Sequence, residues 1–150
     1  MERLPEALAR GRRGETGIAA MFIDVDRFKT INDTFGHAMG DAVLREFARR
    51  LKESVRETDL VARLAGDEFV IVLEGLHAAA EPQFIARKVM AALDRPFMVE
   101  GRELEVGGSV GVAFDGGCCS LPDDLLSRAD TALYAAKKAG RKTFRVLLAN

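Results

Sequence analysis

The chain has 150 residues, 48% of them hydrophobic, and its 22 basic and 23 acidic side chains leave a formal net charge of −1. That length suits one domain with a sizeable core, and a mean hydropathy of zero excludes a disordered chain. The balanced charge lacks the basic footprint of a duplex-binding domain, so DNA is not an expected partner.

The apolar run Ile18 to Ile23 is too short to span a bilayer, and no charged-then-apolar leader opens the chain, so a cytoplasmic domain without membrane contact is expected. Cys118 and Cys119 are adjacent, which is neither a metal-ligand spacing nor a disulfide framework, and they read as incidental thiols.

Met1 to Thr16 is charged and helix-prone and ends at a Gly-Arg-Arg-Gly-Glu break, as the tail of a leading helix would. Ile18 to Val25 is nearly continuously apolar, which predicts a central strand covered on both faces. It ends in Asp24-Val25-Asp26. Arg27 to Phe35 predicts two short helical turns, interrupted by Gly36 to Gly40 before Asp41, a good N-cap. Val43, Leu44, Phe47, Ala48, Leu51 and Val55 then recur at helical spacing.

Leu60 to Leu73 reads as two apolar runs around a tip of Ala65, Gly66, Asp67 and Glu68, the pattern of a tight hairpin. A solvated turn would use the same residues. Adjacent carboxylates at a strand end could also hold a divalent cation through hard oxygen ligands. Pro82 opens a second amphipathic helix with Ile85, Val89 and Leu93 on one face. Phe97 to Val99 and Glu103 to Val106 predict a small hairpin, Gly107 and Gly108 a flexible join, and Ser109 to Phe114 another inner strand. Asp123 to Ala139 predicts a third helix closing at Gly140, and Phe144 to Leu148 a final strand.

This order predicts an α/β fold in the broad sense, α+β in its details: a mixed, largely antiparallel central sheet covered by helices, close to a ferredoxin-like core with additions. In such a sheet the end of the first strand lies beside the tip of the hairpin. Asp24 is then expected within reach of Asp67.

Asp24-Val25-Asp26-Arg27-Phe28-Lys29, Ile31-Asn32-Asp33, Gly36-His37, Gly40-Asp41 and Arg63-Leu64-Ala65-Gly66-Asp67-Glu68-Phe69 resemble the GGDEF family of diguanylate cyclases. The resemblance continues through Ser109-Val110-Gly111-Val112 and Ala129-Asp130 to Tyr134-Ala135-Ala136-Lys137-Lys138-Ala139-Gly140-Arg141, so it covers almost the whole chain. It implies a palm-like nucleotide-cyclase core in a single domain, residues 1–150, expected to be a fragment of a longer multidomain protein.

The resemblance implies condensation of two GTP molecules into cyclic di-GMP with loss of pyrophosphate, by positioning and charge neutralisation. Asp24, Asp67 and the Val25 carbonyl would hold Mg2+, with Mn2+ as a substitute, while Asp67 or Glu68 accepts the proton of the attacking hydroxyl. Asn32 and Asp41 would read the guanine edge, with His37, Phe28, Ala65 and Gly66 near the nucleotide. An N-cap role for Asp41, a core role for Phe28 and an ordinary loop position for His37 explain those residues equally simply. Lys29, Lys137 and Arg141 would neutralise phosphates, although basic residues also suit a helix C-terminus.

Arg56-Glu57-Thr58-Asp59 is similar to the family's inhibitory site, with Arg87 as a secondary arginine, so cyclic di-GMP is expected as inhibitor as well as product. Each domain would hold one GTP, which implies a weak homodimer for catalysis. The chain departs from the family pattern at Ala65, normally glycine, at Lys142, normally asparagine, and in lacking the usual opening Asp-x-Leu-Thr-Gly-Leu segment. The rival reading is a catalytically idle GTP- or cyclic di-GMP-binding regulatory module. An RNA-binding module is disfavoured by one Tyr, no Trp and neutral charge.

Overall fold

The computed structural model describes residues 6, 9–10, 16–116 and 122–148. The elements in order are β1 (Gly17–Val25), α1 (Phe28–Phe35), α2 (His37–Ser54), β2 (Leu60–Ala65), β3 (Glu68–Leu76), α3 (Ala80–Asp94), β4 (Phe97–Val99), β5 (Arg102–Leu104), β6 (Gly108–Asp115), α4 (Pro122–Lys138) and β7 (Phe144–Leu148). The main sheet runs β2-β3-β1-β6-β7, and β4-β5 form a separate ribbon. All pairs are antiparallel except β6–β7, which is parallel. This is the mixed, mostly antiparallel sheet that the residue order implies. Of the leading helix only Glu6, Ala9 and Arg10 are described, all helical, and both cysteines lie outside the described residues.

β1 is buried along its length because alternate residues serve opposite layers. Ala19, Met21, Ile23 and Val25 join a core with Phe47 and Leu51 of α2 and Val89 and Leu93 of α3. Ile18 and Ala20 point the other way, into a smaller cluster with Val70, Val72, Leu125 and Ala129. The period of two along a strand thus divides one apolar run between two helical layers.

Close backbone approach fixes both layers. A Cβ at Gly111 would lie 2.1 Å from Leu133 N and 2.3 Å from Ala129 O, so α4 rests directly on β6. Gly108 meets Leu93 and Phe47 in the same way, with the Leu93 Cδ1 only 2.6 Å from an added Cβ. The join at Gly107 and Gly108 is therefore a packed contact, and the flexible link expected from sequence is not what forms. Glycine is used there for its missing side chain.

Arg50 ties α2 to the end of α3. Its Nη1 donates to Ala92 O at 2.7 Å and Arg95 O at 2.6 Å, and its Nη2 to Pro96 O at 2.7 Å. These carbonyls end a helix and have no later turn to receive them, so the buried guanidinium substitutes for it. The same group stacks 3.8 Å from the Phe97 ring centroid.

Two boundaries near the site motifs differ from those that the sequence predicts. Gly36, at φ 90 and ψ 164, is both the C-cap of α1 and the N-cap of α2. The helix begins at His37, so Asp41 lies inside α2 and does not cap it. The hairpin tip is also shorter than four residues: Ala65 pairs with Glu68, leaving Gly66 and Asp67 as the turn.

Candidate active site

The ends of β1 and the β2–β3 hairpin adjoin, as the antiparallel register requires. Asp24 is the register partner of Glu68, and Val25 N–H donates to Asp67 O at 3.1 Å. Asp24 is 7% exposed. One of its oxygens, Oδ2, pairs with Lys137 Nζ, which α4 brings across the sheet edge. Its other oxygen, Oδ1, is buried with no hydrogen-bond partner. Burial raises the Asp24 carboxyl above its ordinary value, the Lys137 ammonium opposes that, and the neighbouring Asp67 carboxylate adds to the rise.

Two neighbouring carboxyls, one with an orphaned oxygen, carry more negative charge than the single Lys137 ammonium offsets. Among the described residues no group of three His, Cys, Asp or Glu gathers around a point. A magnesium-type ion needs no such group, because it binds through one or two carboxylates and takes its other oxygens from substrate phosphates and water. The donor set of Asp24 and Asp67 therefore fits a hard divalent cation shared with a nucleotide.

Next to these carboxyls, α1 starts without a side-chain cap and without acidic residues in its first turn. Its N-cap, Arg27, holds a left-handed conformation at φ 54. Free N–H groups and the positive end of the helix dipole face outward there, a feature suited to phosphate. Lys29 is exposed on that turn.

Asn32 of α1 and Gly40 of α2 are in direct apposition. A Cβ at position 40 would lie 1.8 Å from Asn32 Oδ1. That oxygen is buried and has no partner, and the residue after Gly40, Asp41, is exposed. Asp41 lines a groove of about 450 Å³ with Leu44, Arg45, Val61, Arg63 and Phe69. His37 is exposed at the head of α2, and Phe28 is half-buried against the main core, as a core role requires.

Arg141 sits beyond α4 in a segment where Gly140, Arg141 and Lys142 all have positive φ, at 112, 66 and 48. Asparagine tolerates that region better than lysine, so Lys142 is held there by its surroundings. Its N–H donates to Asp26 Oδ2 at 3.0 Å. Asp26 carries no role in the sequence reading, yet it is buried and also accepts from Ser109 Oγ at 2.6 Å. The available signal was its place two residues after Asp24.

Arg56 and Asp59 form a closed pair beside the end of β3 opposite the hairpin tip. Arg56 Nη2 donates to Asp59 Oδ1 at 2.7 Å and to Glu74 O at 2.6 Å, while Arg56 N–H donates to Asp59 Oδ2 at 2.9 Å. Arg56 also borders a groove of about 320 Å³ with Leu76, Glu81 and Phe84. Arg87 is exposed on α3 but does not line it.

The family profile described as diguanylate cyclase, GGDEF domain, matches residues 1–143. The chain belongs to the GGDEF family. Among its GGDEF relatives, the response regulator PleD of Caulobacter vibrioides is 43% identical over 141 residues, 93% of this chain and 31% of PleD. Diguanylate cyclase TpbB of Pseudomonas aeruginosa is 39% identical over 145 residues, 96% of this chain and 33% of TpbB. The chain thus spans about a third of these curated relatives.

The crystal structure of the TpbB GGDEF domain superposes with a TM-score of 0.94 at 39% identity, covering 99% of this chain and 93% of that one. The GGDEF domain of DgcB from Caulobacter crescentus, solved in complex with cyclic di-GMP, gives 0.86 at 30% identity, covering 98% and 86%. GGDEF diguanylate cyclases generally depend on a divalent metal. In the GGDEF signature itself, the position in left-handed backbone is Gly66, at φ 52, whereas Ala65 is not among the described residues with positive φ. The extra methyl of Ala65 therefore meets no left-handed backbone.

No helix among the described residues is long and apolar enough to cross a membrane.

Proposed function

We propose that this GGDEF domain condenses two GTP molecules into cyclic di-GMP, releasing pyrophosphate from each. The observation that carries the reading is the buried, unpartnered Asp24 Oδ1 beside Asp67 at the hairpin tip. A structural carboxylate would have both oxygens satisfied, whereas one awaiting a cation keeps an oxygen free.

Asp24, Asp67 and the Val25 carbonyl would hold Mg2+, or Mn2+ in its place. When bound, the ion neutralises phosphate charge and makes the attacking hydroxyl easier to deprotonate. Lys137 and Arg141 bind the phosphates from the α4 side, and Lys29 with the uncapped start of α1 binds them from the other. Asn32 and Asp41 orient guanine, the Asn32 amide having a free buried acceptor for a base donor. His37, exposed at the head of α2, would lie beside the bound guanine.

Glu68 is exposed at the start of β3, while Asp67 is half-buried against Asp24. This division favours Asp67 for the cation and Glu68 for the proton of the ribose hydroxyl that attacks the partner nucleotide's α-phosphate. Two GTP-loaded copies must meet face to face, so a transient homodimer is part of the mechanism.

The Arg56–Asp59 pair is proposed as a site for cyclic di-GMP as inhibitor, with Arg87 reaching the same ligand. The support is a preassembled guanidinium and carboxylate beside an apolar groove bearing Phe84. Titration of cyclic di-GMP should give binding that Arg56→Ala removes.

The decisive test is incubation with GTP and Mg2+, with cyclic di-GMP scored by chromatography beside Asp67→Asn. Product from the unaltered protein alone supports the proposal, with a rate that rises faster than linearly in enzyme concentration. Binding of GTP without product points to a regulatory module instead.

A further inference from the structure

We propose that Asp26 is a positioning residue that sets the aim of Arg141 toward the triphosphate. This rests on the reading of Arg141 as a phosphate-binding residue given above. The two acidic residues of Asp24-Val25-Asp26 then have separate duties: Asp24 faces the cation, and Asp26 organises the cationic loop.

Asp26 follows the last residue of β1 and is 6% exposed. Its main-chain N–H donates to Gly107 O at 2.9 Å, which fixes where its carboxylate points. Both carboxylate oxygens are engaged. Oδ1 accepts from Ser109 Oγ at 2.6 Å, and Oδ2 accepts from Lys142 N–H at 3.0 Å. Arg141 Nη1 lies 4.0 Å from Oδ1.

The loop being held is a costly one. Gly140, Arg141 and Lys142 are successive residues in left-handed backbone, and two of them carry side chains. Such a run persists only where surrounding contacts over-determine it. The Lys142 N–H to Asp26 bond supplies one such contact, and the packing at Gly107 supplies another. A Cβ at Gly107 would come within 2.9 Å of Asp26 Oδ2 and 2.7 Å of Lys142 Cγ, so the pocket has been kept clear for this arrangement.

The consequence for Arg141 is directional. Its side chain is 38% exposed, so the guanidinium edge turned toward Asp26 is steadied while other N–H groups stay open. Arg141, Arg27 and Thr30 line one cavity of about 410 Å³ at the head of α1, where the uncapped helix start also points. A guanidinium fork grips phosphate well only when pre-aimed, because each rotamer lost on binding lowers affinity.

The test measures binding of a non-reactive GTP analogue and of guanosine, with Mg2+ present, to the unaltered domain, Arg141→Ala, Asp26→Asn and the double variant. The amide introduced by Asp26→Asn keeps an acceptor for Lys142 N–H and a group for Ser109, but it loses the charge facing Arg141. The expected result is GTP-analogue affinity down about tenfold in Arg141→Ala and several-fold in Asp26→Asn, with guanosine affinity unchanged in both. The double variant should be no weaker than Arg141→Ala alone.

Equal loss of analogue and guanosine binding in Asp26→Asn would reduce Asp26 to a structural residue and overturn the proposal. Unchanged analogue affinity in Asp26→Asn, with a loss in Arg141→Ala, overturns it while sparing the role of Arg141. Unchanged affinity in Arg141→Ala overturns both. Should Asp26→Asn fail to fold, Ser109→Ala removes one support of the same carboxylate, and it must show the same selective loss in smaller degree.

Discussion

Lys137 takes one oxygen of the Asp24 carboxylate and leaves the other buried and unpaired. The ammonium thus stands beside the place where a metal would bring its own charge, and the two cations would share a ligand. Lys137→Met removes the protein's own charge and should lower stability by about 1–2 kcal/mol, less than a fully buried pair because Lys137 is partly exposed. Added Mg2+ should then raise the melting temperature of the variant more than that of the unaltered protein. No extra metal response would argue against a cation at Asp24.

Ala65→Gly restores the common signature, yet it relieves nothing, since residue 65 is not in left-handed backbone. The expected outcome is a loss of about 0.5–1 kcal/mol from added chain entropy, with turnover within about twofold of the unaltered protein. A large gain in turnover would mean that the methyl blocks the nucleotide.

Gly40→Ala is a sharper change. Its Cβ would lie 1.8 Å from Asn32 Oδ1 and 3.2 Å from Phe28 Cζ. The amide can swing away, so stability should fall by only about 1 kcal/mol. Its hydrogen-bond geometry would not survive that swing, and GTP affinity should fall by about tenfold while ATP affinity stays level. Competition binding with both nucleotides separates the two effects.

Arg50→Ala leaves the carbonyls of Ala92, Arg95 and Pro96 without their donor and uncovers the Phe97 ring. Denaturant unfolding should register a loss of about 2–4 kcal/mol. Arg50→Lys should recover little, since one ammonium cannot span three carbonyls and stack on the ring.

Acid should weaken the same corner. The Arg49 guanidinium, and after it that of Arg50, holds the Glu46 carboxyl down to about 2 from an ordinary 4.5, against the opposing effect of burial. Because the folded value lies below the unfolded one, this contribution is complete above about pH 4.5 and is lost as pH falls toward 2. The melting-temperature gap between the unaltered protein and Glu46→Gln should close over that interval. A gap unchanged at pH 2 would assign it to packing.

Strand and helix identities were legible because the apolar patterns are strong: the run Ile18 to Val25 suits an inner strand, and the spacing of Val43 to Leu51 an amphipathic helix. The meeting of Asp24 with the hairpin tip followed from antiparallel order alone. What sequence hid was conformation at single residues. Asp41 has the chemistry of an N-cap, but Gly36 already breaks the chain, and an uncapped start at His37 is tolerated. Gly107 reads as a hinge until the Lys142 stem and the Asp26 carboxylate fill the space beside it. Beyond its place two residues after Asp24, Asp26 gives no local signal, because its partners, Ser109 and Lys142, are 83 and 116 positions away.

The parallel pairing of β7 with β6 has a consequence for how the protein comes into being on the ribosome. Asp24 and Asp67 belong to the first half of the chain and can take their places once β1 and β3 pair. Lys137 and Arg141 are delivered only when α4 has crossed and the last strand has docked beside β6. A nascent domain therefore carries its acidic groups at the sheet edge without Lys137 and Arg141 until α4 and β7 have emerged, so the proposed grip on phosphate is the last part of the site to form.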